Sequence, residues 1–422
     1  MADSTIAGLA ELTGAIDGTN DSVPVWDASA ATTKFLPLKS FPVMALGAVG
    51  GRNILANSDE NTIATDVHTC TIAGGGGTGA GEENNISGSS SHYATISGGY
   101  DNDIDDAVAS VIAGGAHHSI DSGATHGVIS GGSTNNIISG DYCTIAGGTT
   151  NDITGSTSSI GGGNTNSITA TSSLIAGGNG NTVSDGGTAN TICGGNGNTI
   201  SGATTNYATV SGGQLNTVSA AGGAVVGGQS HTSSGVNAIC SGGTTNVASG
   251  LNAACIGGDT NLADGISATA FGSQAKSSIQ GGVAWTGRKI SAQGDAQSIS
   301  FTQSQQTTDA TITSLSSYGA ANYAPIPDNS AWAGRAYIVG RESATGDVCA
   351  YELLFCCERD GGTASKADSA TATEIVNQNS IAGAAPVLNI HSTGLFRIQV
   401  TGTLAKTINW CATVTAAQVV GT

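Results

Sequence analysis

Thirteen times between residues 72 and 270 the chain returns to one short phrase, and that recurrence limits its fold more than any other feature. The phrase is an aliphatic residue, a small residue and usually Gly-Gly. It is anchored at Ile72, Ile96, Ile112, Ile129, Ile145, Ile160, Ile175, Ile192, Val210 and Val225, with Cys240, Cys255 and Ala270 as weaker anchors that follow. After a first step of 24 residues the anchors come every 15 to 18. Six residues past the anchor most copies carry an asparagine: Asn102, Asn135, Asn151, Asn166, Asn181, Asn198, Asn216, Asn246 and Asn261. Eight residues past it a second aliphatic recurs, at Ile104, Ile120, Ile137, Ile153, Ile168, Val183, Ile200 and Val218. A period of this length is the mark of a solenoid, in which each repeat buries its apolar face only against its neighbours.

The spacing predicts one coil. The anchor and the residue eight later point inward from two short strands, and Gly-Gly turns the corner between them, because glycine reaches positive φ without steric cost. Asparagine also tolerates the left-handed region, and asparagines stacked from coil to coil can form a hydrogen-bonded ladder. Helix is excluded by the abundance of Gly, Ser, Thr and Asn and by the lack of a 3.6-residue apolar period. One coil buries about two aliphatic side chains, at roughly 1.5–3 kcal/mol each, while ordering a residue costs about 1–2 kcal/mol of backbone entropy. Stacking, ladder hydrogen bonds and association with other chains must supply the difference, which predicts a homotrimer. The loop GGNGNT at 194–199 is one side chain from a calcium nonapeptide. Thr199 stands where aspartate is needed, and neither a helix nor a lysine follows to make a phosphate loop.

Composition divides the 422 residues into three parts. There are 65 glycines and only 10% charged residues. No proline falls between Pro42 and Pro325, and no tryptophan between Trp26 and Trp285. The expected organisation is a segment at 1–50, a Gly-rich repeat shaft at 51–285 and a C-terminal domain at 286–422. A net charge of −18 argues against nucleic acid and anionic membrane as partners. No run of 18 apolar residues exists, so no transmembrane helix is expected. The start MADSTIAGLAELTG lacks the basic and apolar regions of a signal peptide, and the nine cysteines form no CxxC. Synthesis in a cytoplasm, with reduced thiols, follows as an expectation.

The stretch GVNAICSGGTTNVASGLNAACIGGDTNLADGISATAFGSQAKSS, 235–278, resembles the head repeats of trimeric autotransporter adhesins, most closely in ATAFGSQAKSS, 268–278. The earlier TIxGGxxNxI copies resemble a variant found in bacteriophage tail fibres. The resemblance covers about residues 70–280 and implies a trimeric parallel β-roll; it says little about function. At the N-terminus LAELTGA and DSVPVWDASAATTKFLPL resemble the start of phage tail fibres, where a helix and a hairpin seat the fibre on the virion. From the residues themselves, Ser4 can cap a helix carrying Ile6, Leu9 and Leu12, and Val23, Val25, Phe35 and Leu36 suggest two strands.

Beyond 290 ordinary strand patterns take over. AWAGRAYIVGRE (331–342) and VCAYELLFCCER (348–359) flank SATGD, a hairpin loop. GLFRIQVTG sets Phe396, Ile398 and Val400 on one face, and KTINWCATV sets Ile408, Trp410, Ala412 and Val414 on another. Six to eight strands in about 130 residues predict an antiparallel sandwich, in an all-β protein whose shaft is a trimeric parallel β-roll of 15–18-residue coils.

Four acids crowd YDNDIDDAVAS: Asp101, Asp103, Asp105 and Asp106. Glycosidase chemistry needs two carboxyls facing across a cleft, and a run on one coil turn reads more simply as a solvated edge. His118 and His231 occupy the asparagine position of their coils, which points to ladder substitutes; three copies of one imidazole around a trimer axis are the competing, metal-binding reading. Glycan contact is expected from exposed aromatics: the shaft offers few, Tyr93, Tyr100, Tyr142, Tyr207 and Phe271, which read as scattered surface or groove residues, and the terminal domain, with Tyr318, Tyr323, Trp332, Tyr337, Tyr351 and Trp410, is the better candidate. Together these features predict a structural fibre of a phage tail that attaches to the host surface without catalysis, cofactor or metal. Its expected partners are its own copies in a homotrimer, virion proteins of the tail or baseplate through the N-terminus, and a host receptor with glycans among the candidates. It would be assembled in the host cytoplasm and reside in the virion. A capsid-attached fibre or decoration protein and a tailspike polysaccharide depolymerase are the alternatives.

Overall fold

The computed structural model describes strands 22–27 and 32–37 and then residues 53–421, apart from 57–60, 78, 80, 185, 288–291, 318–322 and 367–371. The expected helix over Ile6, Leu9 and Leu12 lies outside the described residues. The protein is all-β, a parallel β-solenoid with a C-terminal antiparallel region, and divides into two compact units, 1–165 and 166–422.

In the first unit Ser22–Asp27 pairs antiparallel with Thr32–Pro37, placing Val23 opposite Leu36. The coils follow. Each contributes two very short strands, and equivalent strands stack parallel and in register. Ile129 sits between Ile112 and Ile145 on one side of the coil, and Ile137 between Ile120 and Ile153 on the other. All six are fully buried, so the two inward positions of each coil form two aliphatic columns. One coil precedes the first recognisable repeat: Ile54–Leu55 pairs with Thr71–Ile72.

Glycine's role at the corner is set by the next coil. A Cβ on Gly132 (φ +99°) would lie 2.1 Å from the Gly148 carbonyl oxygen, and one on Gly148 (φ +94°) would lie 2.1 Å from that of Gly163. The second glycine of the pair is thus excluded from bearing a side chain by both conformation and contact. The asparagine is not the left-handed residue. That conformation belongs to the residue before it, such as Thr134 (φ +56°) and Thr150 (φ +55°), and to the position three before the anchor, such as Ala109, His126 and Tyr142. Two left-handed positions per coil close the loop, and β-branched threonine occupies several of them against its preference.

The second unit has coils of the same design from Ser167–Ile168 onward, with Ile192 between Ile175 and Val210 and Ile200 between Val183 and Val218. Its last solenoid strand, Val283–Thr286, pairs parallel with Thr269–Gly272 and antiparallel with Ala296–Thr307. Through that strand the parallel ladder runs directly into an antiparallel sheet. Ala296–Thr307, Ile408–Val420, Ser330–Glu342 and Val348–Asp360 follow in order, the last also pairing with Thr363–Lys366 and Thr373–Asn377. A second sheet centres on Leu395–Thr401, flanked by Ile312–Ser314, Ala324–Pro325 and Ala384–His391. Phe396 of this sheet meets Phe301, Trp332 and Phe355 of the first, with ring centroids 4.8–5.8 Å apart. Phe396, Ile398 and Val400 face inward, as do Ile408, Trp410, Ala412 and Val414.

Candidate functional site

The asparagine positions form buried hydrogen-bonded chains. In the first unit the backbone N–H of Asn102 donates to Asn84 Oδ1, that of His118 to Asn102 Oδ1, that of Asn135 to His118 Nδ1 and that of Asn151 to Asn135 Oδ1, at 3.0–3.2 Å. In the second unit Asn181, Asn198, Asn216, His231, Asn246 and Asn261 each donate the backbone N–H to the equivalent residue one coil earlier, beginning at Asn166. The side-chain amide has a separate task. Asn135 Nδ2 donates to the Gly131 carbonyl of its own corner and to the Gly148 carbonyl of the next, both at 3.0 Å. One residue therefore closes a corner and staples two coils. His118 and His231 reproduce the acceptor half with Nδ1, but their buried Nε2 atoms have no hydrogen-bond partner. Burial lowers the pKa of both imidazoles below the ordinary value. These side chains face the coil interior and one another, so the ladder is structural chemistry with no room for a ligand.

Outward positions of the first unit hold the chemistry. Asp103, on the second strand of its coil, accepts from Asn85 Nδ2 at 3.1 Å. Burial, then the like charges of Asp105 and Asp121, push its carboxyl up to about 6, with a smaller push from Asp101. Asp105 accepts from Ser87 Oγ at 2.9 Å, Asp106 from the Ser90 amide at 2.8 Å, and Asp121 from Ser119 Oγ. Asp101 turns away to bind His117 Nδ1 at 2.5 Å, and Tyr100 packs edge-on against that imidazole with centroids 5.1 Å apart. The run of four acids thus resolves into a carboxylate–imidazole pair and an outward carboxylate group that one neighbouring coil joins through Asp121. Sequence distance hid Asp121, which the coil period brings one rung from Asp105. Among the described residues no group of three or more His, Cys, Asp or Glu side chains is arranged to hold a metal ion.

A second outward feature lies at the left-handed position three before the anchor. Tyr93, Ala109, His126, Tyr142 and Thr157 occupy it in successive coils, and each backbone N–H donates to the preceding coil. Tyr93 and Tyr142 are 62% exposed, and the His126 and Tyr142 rings stack with centroids 4.7 Å apart and planes within 15°. Successive rungs are about 4.8 Å apart, so Tyr93 and His126, separated by the small Ala109, stand about 9.6 Å apart along the column. In the second unit Tyr207 takes the same coil position and is 73% exposed. The terminal domain offers less: Trp332, Tyr351 and Trp410 are core, Tyr323 lies beneath the Arg397 guanidinium, and Tyr337 is exposed. Tyr318 lies outside the described residues. A cavity of about 350 Å³ lies where the last coil meets the sandwich, lined in part by Gln297, Trp332, Arg359 and Gln418. The amides of Gln297 and Gln418 are spent on the Lys276 backbone, on the Gly294 carbonyl and on Trp332 Nε1.

No protein-family model matches the chain, and no curated protein matches it either. Among solved structures it is similar to the tailspike protein of Acinetobacter phage vB_ApiP_P1, at 9% identity and a TM-score of 0.19 over 81% of this chain and 82% of that one. It is also similar to tailspike protein gp49 of Acinetobacter baumannii bacteriophage Fri1, described as a capsular polysaccharide depolymerase, at 10% identity and a TM-score of 0.21 over 84% and 79%. The tailspike of Acinetobacter baumannii phage AM24 follows at 8% identity and a TM-score of 0.21 over 85% and 78%. The expectation of a chain without catalysis is corrected at this point, because the proteins it is similar to include a depolymerase. Likeness at these scores assigns the chain no activity of its own.

Proposed function

We propose that this chain is a structural fibre of a bacteriophage tail that attaches to the host surface, and that the ring column at Tyr93, His126 and Tyr142 contacts a surface glycan. The exposed rings carry this reading. They stand on a backbone held rung by rung, so little freedom is lost when a ring stacks on the C–H face of a sugar. Residues 1–50 would seat the fibre on tail or baseplate proteins, 51–285 form the shaft, and 286–422 face outward as the terminal domain. A homotrimer is supported by the thin coil, which buries at most two large aliphatic side chains in most turns, and by the low share of charged residues. A seat on the capsid uses the same chain and differs only in its place on the particle. The test is binding of the purified chain to host surface polysaccharide. Tyr93→Ala with Tyr142→Ala should weaken binding at least tenfold with unchanged circular dichroism. Undiminished binding by that variant removes the column from the contact.

One observation favours a second reading, polysaccharide cleavage. Burial and the neighbouring charges of Asp105 and Asp121 push the Asp103 carboxyl up to about 6, and acid-assisted glycoside hydrolysis uses a carboxyl raised in this way. Protonated Asp103 would then donate to the leaving oxygen. Since that form disappears as pH rises through about 6, oligosaccharide release should fall above this pH and vanish in Asp103→Asn. Binding without release at any pH leaves attachment alone.

A further inference from the structure

In the last coils of the second unit the distribution of apolar side chains turns inside out. The inward column runs Ile192, Val210, Val225, Cys240, Cys255, Ala270, Ala284, and its counterpart runs Ile200, Val218, Ser233, Ala248, Ala263, Ser277, all buried. Along both columns the side chains shrink from isoleucine to alanine or serine, so the coils after Val225 bury much less apolar surface than an Ile–Ile coil. Over the same coils one of the two residues flanking the anchor, both of which point outward, becomes large and apolar. Val226 is 53% exposed, Ile239 39%, Ile256 56% and Phe271 37%, and Phe271 stacks on Trp285 at 6.0 Å. The corresponding residues of earlier coils in this unit are mostly small or polar, as at Thr191, Cys193, Thr209 and Ser211.

The backbone changes in step. The anchor strand lengthens from two residues at Ala224–Val225 to three at Ile239–Ser241 and Ala254–Ile256 and four at Thr269–Gly272 and Val283–Thr286. The first corner glycine moves from φ +153° at Gly227 to +67° at Gly242 and +68° at Gly257. The result is a broader apolar face on one side of the coil. The opposite outward face remains mixed, with Thr232, Ser234, Ser249 and Asp264 among its members. Coils with a depleted interior and an apolar exterior lack the burial needed to stand alone, and a contiguous exposed patch of this kind marks an interaction surface.

We infer that the face carrying Val226, Ile239, Ile256 and Phe271 is where copies of this chain pack on one another. Charge selects that occupant. The chain carries −18 overall, so copies repel elsewhere, yet no Asp, Glu, Lys or Arg occurs between Asp185 and Asp259. A basic partner would instead favour the acidic coils near Asp103. The inference rests on the homotrimer reading and adds the surface through which it forms.

The test uses the full chain and light scattering after size exclusion. Wild type should run near three times 41.1 kDa. Ile256→Asp with Phe271→Asp, charges placed on side chains the single chain already exposes, should lower the mass threefold, while Ser249→Asp on the opposite face leaves it unchanged. An unaltered mass in the double variant overturns the surface and leaves the homotrimer standing; a monomeric wild type overturns both. Should the double variant not fold, Ile256→Cys in a background with Cys193, Cys356 and Cys411 changed to serine should cross-link between copies under copper–phenanthroline oxidation. Ser249→Cys should not, and absence of the Ile256→Cys cross-link overturns the inference.

Discussion

His118 shows how a single position joins sequence, fold and stability. It stands where neighbouring coils carry asparagine, and its Nδ1 accepts the amide that Oδ1 accepts elsewhere, but its buried Nε2 leaves the stapling hydrogen bond unmade. Burial lowers its pKa from the ordinary 6.5. The unfolded chain therefore takes up a proton near pH 6.5 that the folded chain binds only at lower pH. The stability tied to neutral His118 is present above 6.5 and is lost as pH falls toward the folded value. His118→Asn should restore the missing donor, raising stability at pH 7 by about 0.5–1.5 kcal/mol, and should enlarge that margin at pH 5. Denaturant unfolding at the two pH values checks this; an equal margin at both would show that the imidazole does not titrate there. The asparagine column and its histidine substitutes were visible in the period alone. The residue that takes the left-handed turn was not, because threonine at positions such as Thr134 and Thr150 has no propensity for it, and the stacked coils impose it.

At the level of elements, alternation was legible wherever a strand has one wet face. Val348–Asp360 illustrates this: Cys349 and Cys357 are buried and Cys356 between their phases is exposed. Burial raises the Cys349 thiol to about 11 and the Cys357 thiol to about 12, further suppressing their thiolates. A maleimide applied to the native protein should label Cys356 and spare Cys349 and Cys357 until denaturant is added, read by peptide mass spectrometry. Labelling of Cys357 before Cys356 would mean that the strand phase is inverted. Two coils escaped the sequence pattern for a physical reason. Leu55 and Ala284 occupy anchor positions without a following Gly-Gly, and at Ala284, in the last coil, no further coil stacks on the corner. The acidic group near Asp103 was half legible, since its four clustered members are local while Asp121 arrives only through coil stacking.

At the scale of the whole molecule, charge and outward apolar residues fall on different coils. Acids and most of the exposed shaft rings gather on coils between Tyr93 and Asp152, while the stretch from 186 to 258 carries no charge and, from Val226 onward, turns its larger apolar residues outward. On the proposed reading one set of coils meets a polar ligand and another meets copies of the chain. That division was hidden from composition, which averages the two. The claim that joins them is attachment of a phage tail to its host, and the location of the protein on the particle tests it most directly. Particles from a lysate carrying this gene, decorated with an antibody against residues 290–422 and viewed by electron microscopy, should show label at the free ends of tail fibres. Label on the head shell, or particles that carry none, would contradict the account.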